Sequence, residues 1–298
     1  MRRQLWLPSY FADGMILQQQ MTNLVRGRAA PGTAVLLSLD RQPADGRPVS
    51  PLDNQFGRIY NAQAVCDEAG VFAVELPPIE ASFDSFTLTV EAGAEICRID
   101  EILFGEVWVT AGQSNMQMPL QACVQPNQVP VLARLPYVRV LTQAPEGLIG
   151  RKTNYDYLPH EDLAEARWLR GSCPEEMARV SAIAFSFARE LQLSLKLPVA
   201  IIETALRETH IHAWLNRRTA DNRPLIRLHI EQLGYYRDEL TWNMTGGREG
   251  ARHQPAALFN SKIAPLAGMG IRGIVWHHGE SDYRSEEHTS ELQSRHNL

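Results

Sequence analysis

Phe104-Gly-Glu-Val-Trp-Val-Thr-Ala111, followed directly by Gly112-Gln-Ser-Asn-Met-Gln117, is the stretch that decides the fold. Its compact apolar run predicts a buried strand, the glycine predicts a tight turn, and the residues after it suit a helix. This order of strand, turn and helix opens an α/β unit. Open parallel sheets bind their ligands at the carboxyl ends of their strands, so the turn around Ser114 is the first place to expect a site.

Two later segments repeat this order. Apolar residues recur at helical spacing over residues 180–195, and the run Val199-Ala-Ile-Ile202 after Pro198 predicts a buried strand. Residues 256–267, followed by residues 271–276, show the same pattern. Alternating helices and continuously apolar strands predict an α/β fold with a parallel sheet and helices on both faces.

The first third of the chain has a different pattern. Short alternating runs, such as Val71-Phe-Ala-Val-Glu-Leu76, are separated by turn residues such as Pro31-Gly32, and no helix-length periodic segment interrupts them. We therefore predict a small β-sandwich-like domain over residues 1–103, followed by an α/β domain over residues 104–283.

The last residues read differently again. The run Arg-Ser-Glu-Glu-His-Thr-Ser-Glu-Leu-Gln-Ser at residues 284–294 matches the conceptual translation of a common short-read sequencing adapter. After Tyr283, Leu292 is the one apolar side chain before the terminal Leu298, so this segment has no means of forming a buried element. We expect residues 284–298 to be an assembly artefact and the natural reading frame to continue past Tyr283.

Composition narrows the classes of partner and compartment. The 298 residues carry a net charge of -5, from 29 basic and 34 acidic side chains, without a basic stripe, so nucleic acid is not an expected partner. No apolar run is long enough for a membrane span, and the N-terminus lacks the apolar core of an export signal. As written the chain is expected in the cytoplasm, and a mis-called start would allow export. The four cysteines form no CxxC pair and are interpreted as ordinary thiols.

The local sequence leaves two interpretations of Ser114 open. At a turn from strand to helix its hydroxyl is exposed at the sheet edge, and the free N–H groups of the helix face a developing oxyanion, as a nucleophilic serine requires. Alternatively, Ser114-x-x-Gln117 fits a capping box, whose side chains only satisfy backbone donors.

Histidines follow both of the later strands. His210 and His212 alternate, so in an extended segment both point to one face, a spacing that suits a metal. No third ligand accompanies them at a fixed spacing, and no metal site is predicted; pocket-wall or hydrogen-bonding histidines are the other interpretation. The last strand runs into Trp276-His-His-Gly-Glu-Ser-Asp282.

Taken together, these segments resemble the sialate O-acetylesterase family of SGNH hydrolases. Residues 104–120 are similar to the family's nucleophile block, and residues 271–282 to its later RGVIWYQGES(N/D) block. Residues 7–18 and 30–32 resemble the opening β domain of these enzymes. The resemblance implies an SGNH-type, flavodoxin-like parallel sheet and spans almost everything before the adapter-like end.

The resemblance also implies a chemistry, ester hydrolysis through an acyl-serine at Ser114, with O-acetylated sugars or glycans as substrates and no cofactor. It places the oxyanion hole on the amide of Ser114, a backbone amide at Glu208 and the side chain of His278. Further substrate-binding positions are implied, with the last of them read as orienting or structural: Gln113, Asn115, Arg207, His210 and Glu280.

Two departures from the family pattern affect the oxyanion hole. Arg207-Glu208 stands where the family usually carries Gly-Gly, and a side chain there would crowd the carbonyl or force a different turn, because only glycine reaches positive φ at little cost. His278 replaces the usual Gln, and a neutral imidazole donates a hydrogen bond only in the right tautomer.

The general base is the larger departure. SGNH enzymes take it from a late Asp-x-x-His, and no Asp of this chain has His three residues further on. We therefore expect an esterase by family whose present chain is largely inactive. The alternatives are, in order, a non-catalytic glycan-binding relative and a metal-dependent hydrolase that uses His210 and His212.

Overall fold

The structure is a computed structural model that describes residues 5–47, 53, 55–125, 127–144, 158–236 and 252–282. The adapter-like segment 284–298 lies outside the described residues, so its interpretation stays a prediction. Within the described part, no helix combines the length and the apolar composition that a membrane crossing requires.

The elements alternate between strands and helices only in the second part of the chain. The strands are β1 Ile16–Gln18, β2 Asn23–Arg28, β3 Ala34–Gln42, β4 Gly57–Val65, β5 Val71–Leu76, β6 Ser82–Ala92, β7 Glu95–Gly112, β8 Val138–Thr142, β9 Arg167–Arg170, β10 Val199–Glu203 and β11 Gly273–His277. The α-helices are α1 Ser114–Gln117, α2 Leu120–Cys123, α3 Val129–Leu132, α4 Pro174–Met177, α5 Ala182–Leu195, α6 Arg217–Asn222 and α7 Pro224–Gln232.

The N-terminal part consists of two antiparallel β arrangements, except that the short strand β1 pairs in parallel with β7. Strands β4, β3, β6 and the first half of β7 pair in that order, and β2 pairs with β5 in a separate two-stranded sheet. Strand β5 alternates strictly between buried and exposed residues, as a half-buried strand should. The prediction of a small β-sandwich-like unit at the start of the chain is confirmed.

Strand β7 joins this unit to the α/β part. Its first half is antiparallel to β6, and its last residues are parallel to β10 on one side and to β11 on the other. The predicted domain division between residues 103 and 104 falls inside this one strand, and a single hydrophobic cluster continues from Leu37 through Val107 to Ile202. The division therefore stays a prediction from sequence pattern.

The α/β part is built on the neighbours β11, β7, β10 and β8, all parallel, with β9 as an antiparallel edge strand. Alternate residues of β10 face opposite sides of the sheet. Val199 and Ile201 pack in the cluster that contains Phe185 of α5, while Ala200 and Ile202 pack in the cluster that contains Leu258. Both faces are thus covered, and the predicted α/β fold is confirmed.

Helix α5 ends where its sequence requires. Ser181 caps its N-terminus by accepting a hydrogen bond from the amide of Ala184, and Lys196 ends it in the left-handed conformation, with φ 56°. The helix predicted over residues 256–267 is different, because it consists of a π-helical turn, Phe259–Ile263, and a 3-10 turn, Ala264–Leu266. Pro265 has no amide hydrogen and cannot continue α-helical bonding there.

Candidate active site

Ser114 lies at the carboxyl edge of the parallel sheet, two residues after β7 ends, and is exposed as the first residue of α1. The turn before it is tight because β11 passes very close. Gly112 has φ 145°, a Cβ at this position would lie 1.9 Å from the carbonyl oxygen of His277, and that same oxygen accepts a hydrogen bond from the amide of Gln113. Glycine is therefore required for β11 to reach the Ser114 turn.

The capping interpretation of Ser114 is wrong. The N-cap of α1 is Gln113, and no side chain caps this one-turn helix. The Ser114 hydroxyl is thus exposed and does not accept the backbone hydrogen bond that a capping serine would accept. Its role as a nucleophile stays a prediction.

Glu280 ties the Ser114 turn to the segment after β11. The side-chain amides of Gln113 and Asn115, which flank Ser114, each donate a hydrogen bond to the Glu280 carboxylate. The hydroxyl of Ser281 donates to Oε1 of Gln113 at 2.7 Å, so the Gln113 side chain is held at both ends. The bond from Gln113, together with that from Asn115, lowers the pKa of Glu280. In this arrangement the three groups bind one another, and their predicted substrate contacts stay predictions.

The second segment, residues 204–212 after β10, keeps a glycine-like turn in spite of its side chains. Glu208 has φ 57°, the left-handed conformation that glycine adopts most easily, and both it and Arg207 are exposed. The amide of Arg207 donates to Oε1 of Gln117 at 2.8 Å, and Leu206 donates to the carbonyl of Gly112, so the turn lies against α1. Although Arg207-Glu208 stands where the resemblance implies Gly-Gly, the turn keeps its shape. The left-handed conformation of Glu208 lowers the stability of the fold by about 1–2 kcal/mol.

Two backbone amides at this edge lack an internal hydrogen-bond partner within the described part of the chain, and their role in an oxyanion hole stays a prediction. Among the described residues, neither the amide of Ser114 nor that of Glu208 donates a hydrogen bond. Backbone N–H groups without an internal partner are the donors from which oxyanion holes are made.

Asp282 connects the second segment to the third segment, residues 276–282 at the end of β11 and after it. Its Oδ1 lies 3.2 Å from Nδ1 of His210, its Oδ2 lies 3.1 Å from Nδ1 of His278, and the amide of Ile211 donates to both oxygens at 3.2 Å. Burial opposes ionisation of this carboxyl, but the hydrogen bonds from His210 and His278 outweigh it and hold the pKa of Asp282 well below its usual range. Sequence patterns carry no signal for this contact, because His210 and Asp282 are 72 positions apart and meet only in the fold.

The histidines form a packed cluster of rings. The rings of His210 and His212 stack with centroids 5.3 Å apart, and those of His253 and Tyr235 pack beside them. His212 Nε2 lies 2.6 Å from the carbonyl oxygen of His253, and burial lowers the pKa of His212 to about 4, so its ring is neutral near pH 7. Within the described ranges, no group of three or more His, Cys, Asp or Glu side chains is placed to hold a metal ion.

A cleft of about 870 Å³ opens beside Ser114 along the carboxyl ends of β10 and β8. Arg207, another predicted site residue, also lines it. Two of its lining residues were missed at the sequence level, Glu203 and Lys262. Glu203 ends an apolar strand and so stands where site residues are expected, whereas nothing in the sequence around Lys262 distinguishes it from a surface lysine.

Glu203, which is half-buried, and Lys262, which is buried, are ionisable groups in the lining of this cleft. Burial raises the pKa of Glu203 to about 7 and lowers the pKa of Lys262 to about 7. The carboxylate of Glu203 accepts a hydrogen bond from the amide of Ser181, and Nζ of Lys262 donates to the carbonyl of Ala144 at 3.0 Å. Both groups are therefore held by backbone hydrogen bonds in the lining of the cleft that also contains Ser114.

The fold and this edge of the sheet define an α/β protein with a candidate nucleophile in the turn after its central parallel strand. The predicted resemblance to the sialate O-acetylesterase family is confirmed. The sialate O-acetylesterase of Mus musculus is 24% identical over 304 residues, 94% of this chain and 53% of the relative. That of Homo sapiens is 25% identical over 286 residues, 92% of this chain and 48% of the relative.

A solved structure agrees with the fold. A carbohydrate acetylesterase from Xanthomonas citri aligns with a TM-score of 0.69 and 23% identity, over 93% of this chain and 51% of that structure's chain. No family model matches the chain. The chain spans about half the length of the curated relatives it matches.

Proposed function

We propose that the chain is the nucleophile-bearing part of a carbohydrate O-acetylesterase that acts through an acyl-serine at Ser114. The observation that carries the proposal is the exposed Ser114 hydroxyl at the carboxyl edge of the sheet, beside a cleft and two unbonded amides. The names of the curated relatives and of the solved structure support acetyl esters of sugars, sialates among them, as the substrate class.

The reaction proceeds in two steps. Ser114 Oγ attacks the acetyl carbonyl while a base takes its proton, and the tetrahedral oxyanion is stabilised by the amides of Ser114 and Glu208. Collapse of this intermediate breaks the ester bond, returns the proton to the sugar oxygen and leaves acetate esterified to the serine. Water then attacks the acyl-serine and releases acetate and the free hydroxyl of Ser114.

The sequence of the chain lacks the Asp-x-x-His that serves as general base in SGNH enzymes. Loss of the base from such a triad leaves the weak catalysis of the oxyanion hole and binding alone, roughly 10³–10⁴-fold over water. We therefore expect negligible turnover of p-nitrophenyl acetate by this chain. Because deacylation needs the same base, any acetyl group that an activated ester places on Ser114 should persist.

This expectation provides the test. The chain and its Ser114→Ala variant are incubated with p-nitrophenyl acetate, and acetylated peptides are located by mass spectrometry. Acetyl groups on the peptide of Ser114 are expected, and they should be absent from the variant. The same rate of steady turnover in both proteins, with no acetyl group on Ser114, would contradict the proposal.

A second measurement separates catalysis from the glycan-binding alternative. Acetate release from an O-acetylated sialate is followed with added imidazole as an external base, and the Ser114→Ala variant corrects for direct attack by imidazole. Release that depends on Ser114 supports the esterase. Saturable binding of the sugar by both proteins, without such release, favours a binding protein instead.

A further inference from the structure

The second and third segments contact each other through the Asp282 carboxylate. Its oxygens accept from Nδ1 of His210, Nδ1 of His278 and the amide of Ile211, at 3.1–3.2 Å. An ionised carboxylate has no proton to give, so each of these nitrogens must carry a hydrogen. The contact therefore determines which ring nitrogen of each histidine is protonated.

The other ring nitrogen of His278 is in an unusual position. The His278 side chain is 2% exposed and stacks on Trp276, with ring centroids 5.3 Å apart. Its Nε2 is buried and, among the described residues, has no hydrogen-bond partner. In a neutral ring whose proton is on Nδ1, this Nε2 carries a lone pair and is an acceptor only.

The position of His278 places it beside the Ser114 turn. His277 is the parallel partner of Gly112 in the sheet, and its carbonyl accepts from Gln113, so residue 278 follows at the level of the residues that lead into α1. A carboxylate on Nδ1 and a free Nε2 is the orientation that the acid of a serine-hydrolase triad gives to its histidine.

We propose that Asp282 is a positioning residue that holds His278 in its Nδ1–H tautomer and fastens the turn of residues 207–212 to the third segment. In its neutral form His278 is then a hydrogen-bond acceptor at the Ser114 edge, not the oxyanion donor that the resemblance implied for this position. The tautomer is a property of the resting chain, while its consequence for catalysis rests on the proposed function.

The test determines which imidazole nitrogen of His278 carries the proton. Long-range ¹H–¹⁵N correlation spectra of the ¹⁵N-labelled chain distinguish protonated from unprotonated imidazole nitrogens, and the His278→Gln and His210→Gln variants assign the signals. At neutral pH we expect Nδ1 of His278 to be protonated and Nε2 to be bare. A protonated Nε2 with a bare Nδ1 in the unmodified chain would overturn the proposal, without any need for a folded Asp282 variant.

Substitution of the carboxylate then tests its cause. In Asp282→Ala the His278 signal should lose its fixed Nδ1–H pattern, while Asp282→Glu, which keeps a carboxylate, should restore it at least in part. Asp162→Asn is the matched control, because Asp162 also accepts backbone and hydroxyl hydrogen bonds, from Ser9, but has no histidine among these donors. An unchanged His278 tautomer in a folded Asp282→Ala variant would refute the role of Asp282.

The two proposals fail independently. The spectra require no esterase activity, and Ser114→Ala should leave the His278 tautomer unchanged. If Ser114 is never acetylated while His278 shows Nδ1–H, the esterase proposal fails and the positioning role of Asp282 stands.

Discussion

Gly112 and His277 are parallel partners in the sheet, and their backbones approach so closely that a Cβ on Gly112 would lie 1.9 Å from the His277 carbonyl oxygen. The approach brings the third segment against the turn that carries Ser114. The carbonyl concerned also accepts the amide hydrogen of Gln113, so this one oxygen sets the distance between the two segments.

Replacing this glycine should separate the two strands. Gly112→Ala combines a backbone clash with an unfavourable φ, each worth about 1–3 kcal/mol, so the free energy of unfolding in urea should fall by several kcal/mol. Gly57→Ala is the control, because Gly57 also has positive φ, 78°, but has open space where its Cβ would lie. Equal losses of stability in the two variants would show that φ, and not the close approach, is what Gly112 supplies.

Glu280 should matter more for the Ser114 turn than for the stability of the chain. In Glu280→Gln one of the two donors, Gln113 or Asn115, faces an NH2 group that cannot accept, and the other keeps only a neutral acceptor, so the turn gains freedom. We expect acetylation of Ser114 by p-nitrophenyl acetate to slow by roughly 10-fold, as a loss of orientation does, with a small change in the melting temperature. Glu190→Gln, which removes an exposed acid paired with Arg189, should leave acetylation unchanged.

Replacing Glu208 by glycine should raise the free energy of unfolding of the chain. Glu208→Gly removes the left-handed strain of a residue with φ 57°, about 1–2 kcal/mol, against a smaller entropic cost of glycine in the unfolded chain. The net gain expected in urea unfolding is about 0.5–1 kcal/mol. Arg207→Gly is the neighbouring control; its φ is not positive, so it should lower the stability or leave it unchanged.

The buried pair in the cleft gives a distinctive pH dependence. Between 4.5 and about 7 the unfolded chain loses the proton of Glu203 while the folded chain keeps it, so stability falls as pH rises. Between about 7 and 10.5 the unfolded chain keeps the proton of Lys262 while the folded chain releases it, so stability rises with pH. The contribution of the pair to the free energy of unfolding is therefore lowest near pH 7.

Urea unfolding as a function of pH tests this, with the Glu203→Gln, Lys262→Met double variant as the comparison. Subtracting the two curves should reveal the minimum, with limiting slopes of about 1.4 kcal/mol per pH unit on either side. A difference curve that is flat, or that peaks at neutral pH, would show that the two groups stay charged in the fold.

The sequence predicts elements well where the pattern is local. The apolar run before Gly112, the periodicity of α5 and the alternation of β5 each depend on neighbouring residues, and each is found in the structure. Prediction from the sequence fails where a contact depends on residues that are far apart in the chain. Asp282 carries no local mark of its contact with His210, and Lys262 is buried only because the segment around it closes one side of the cleft.

The capping box at Ser114 shows the same limit in reverse. Its spacing fits the motif, but the side chain of Gln117 instead accepts the amide of Arg207, a residue 90 positions away in the sequence. A local rule was replaced by a tertiary contact, as happens at positions where packing constrains a short helix.

Strand β7 belongs both to the N-terminal sheet, through its pairing with β6, and to the parallel sheet whose central strand ends at the Ser114 turn. Side chains along a regular strand alternate between faces, so inserting or deleting one residue in the part of β7 that pairs in continuous register with β10 and β11 would turn the residues after it to the opposite face. The length of this part is therefore under the same constraint as the identity of the residues it delivers. Grafting a different β unit onto this chain should therefore keep the parallel part of β7, from Glu106 to Gly112, at its present length.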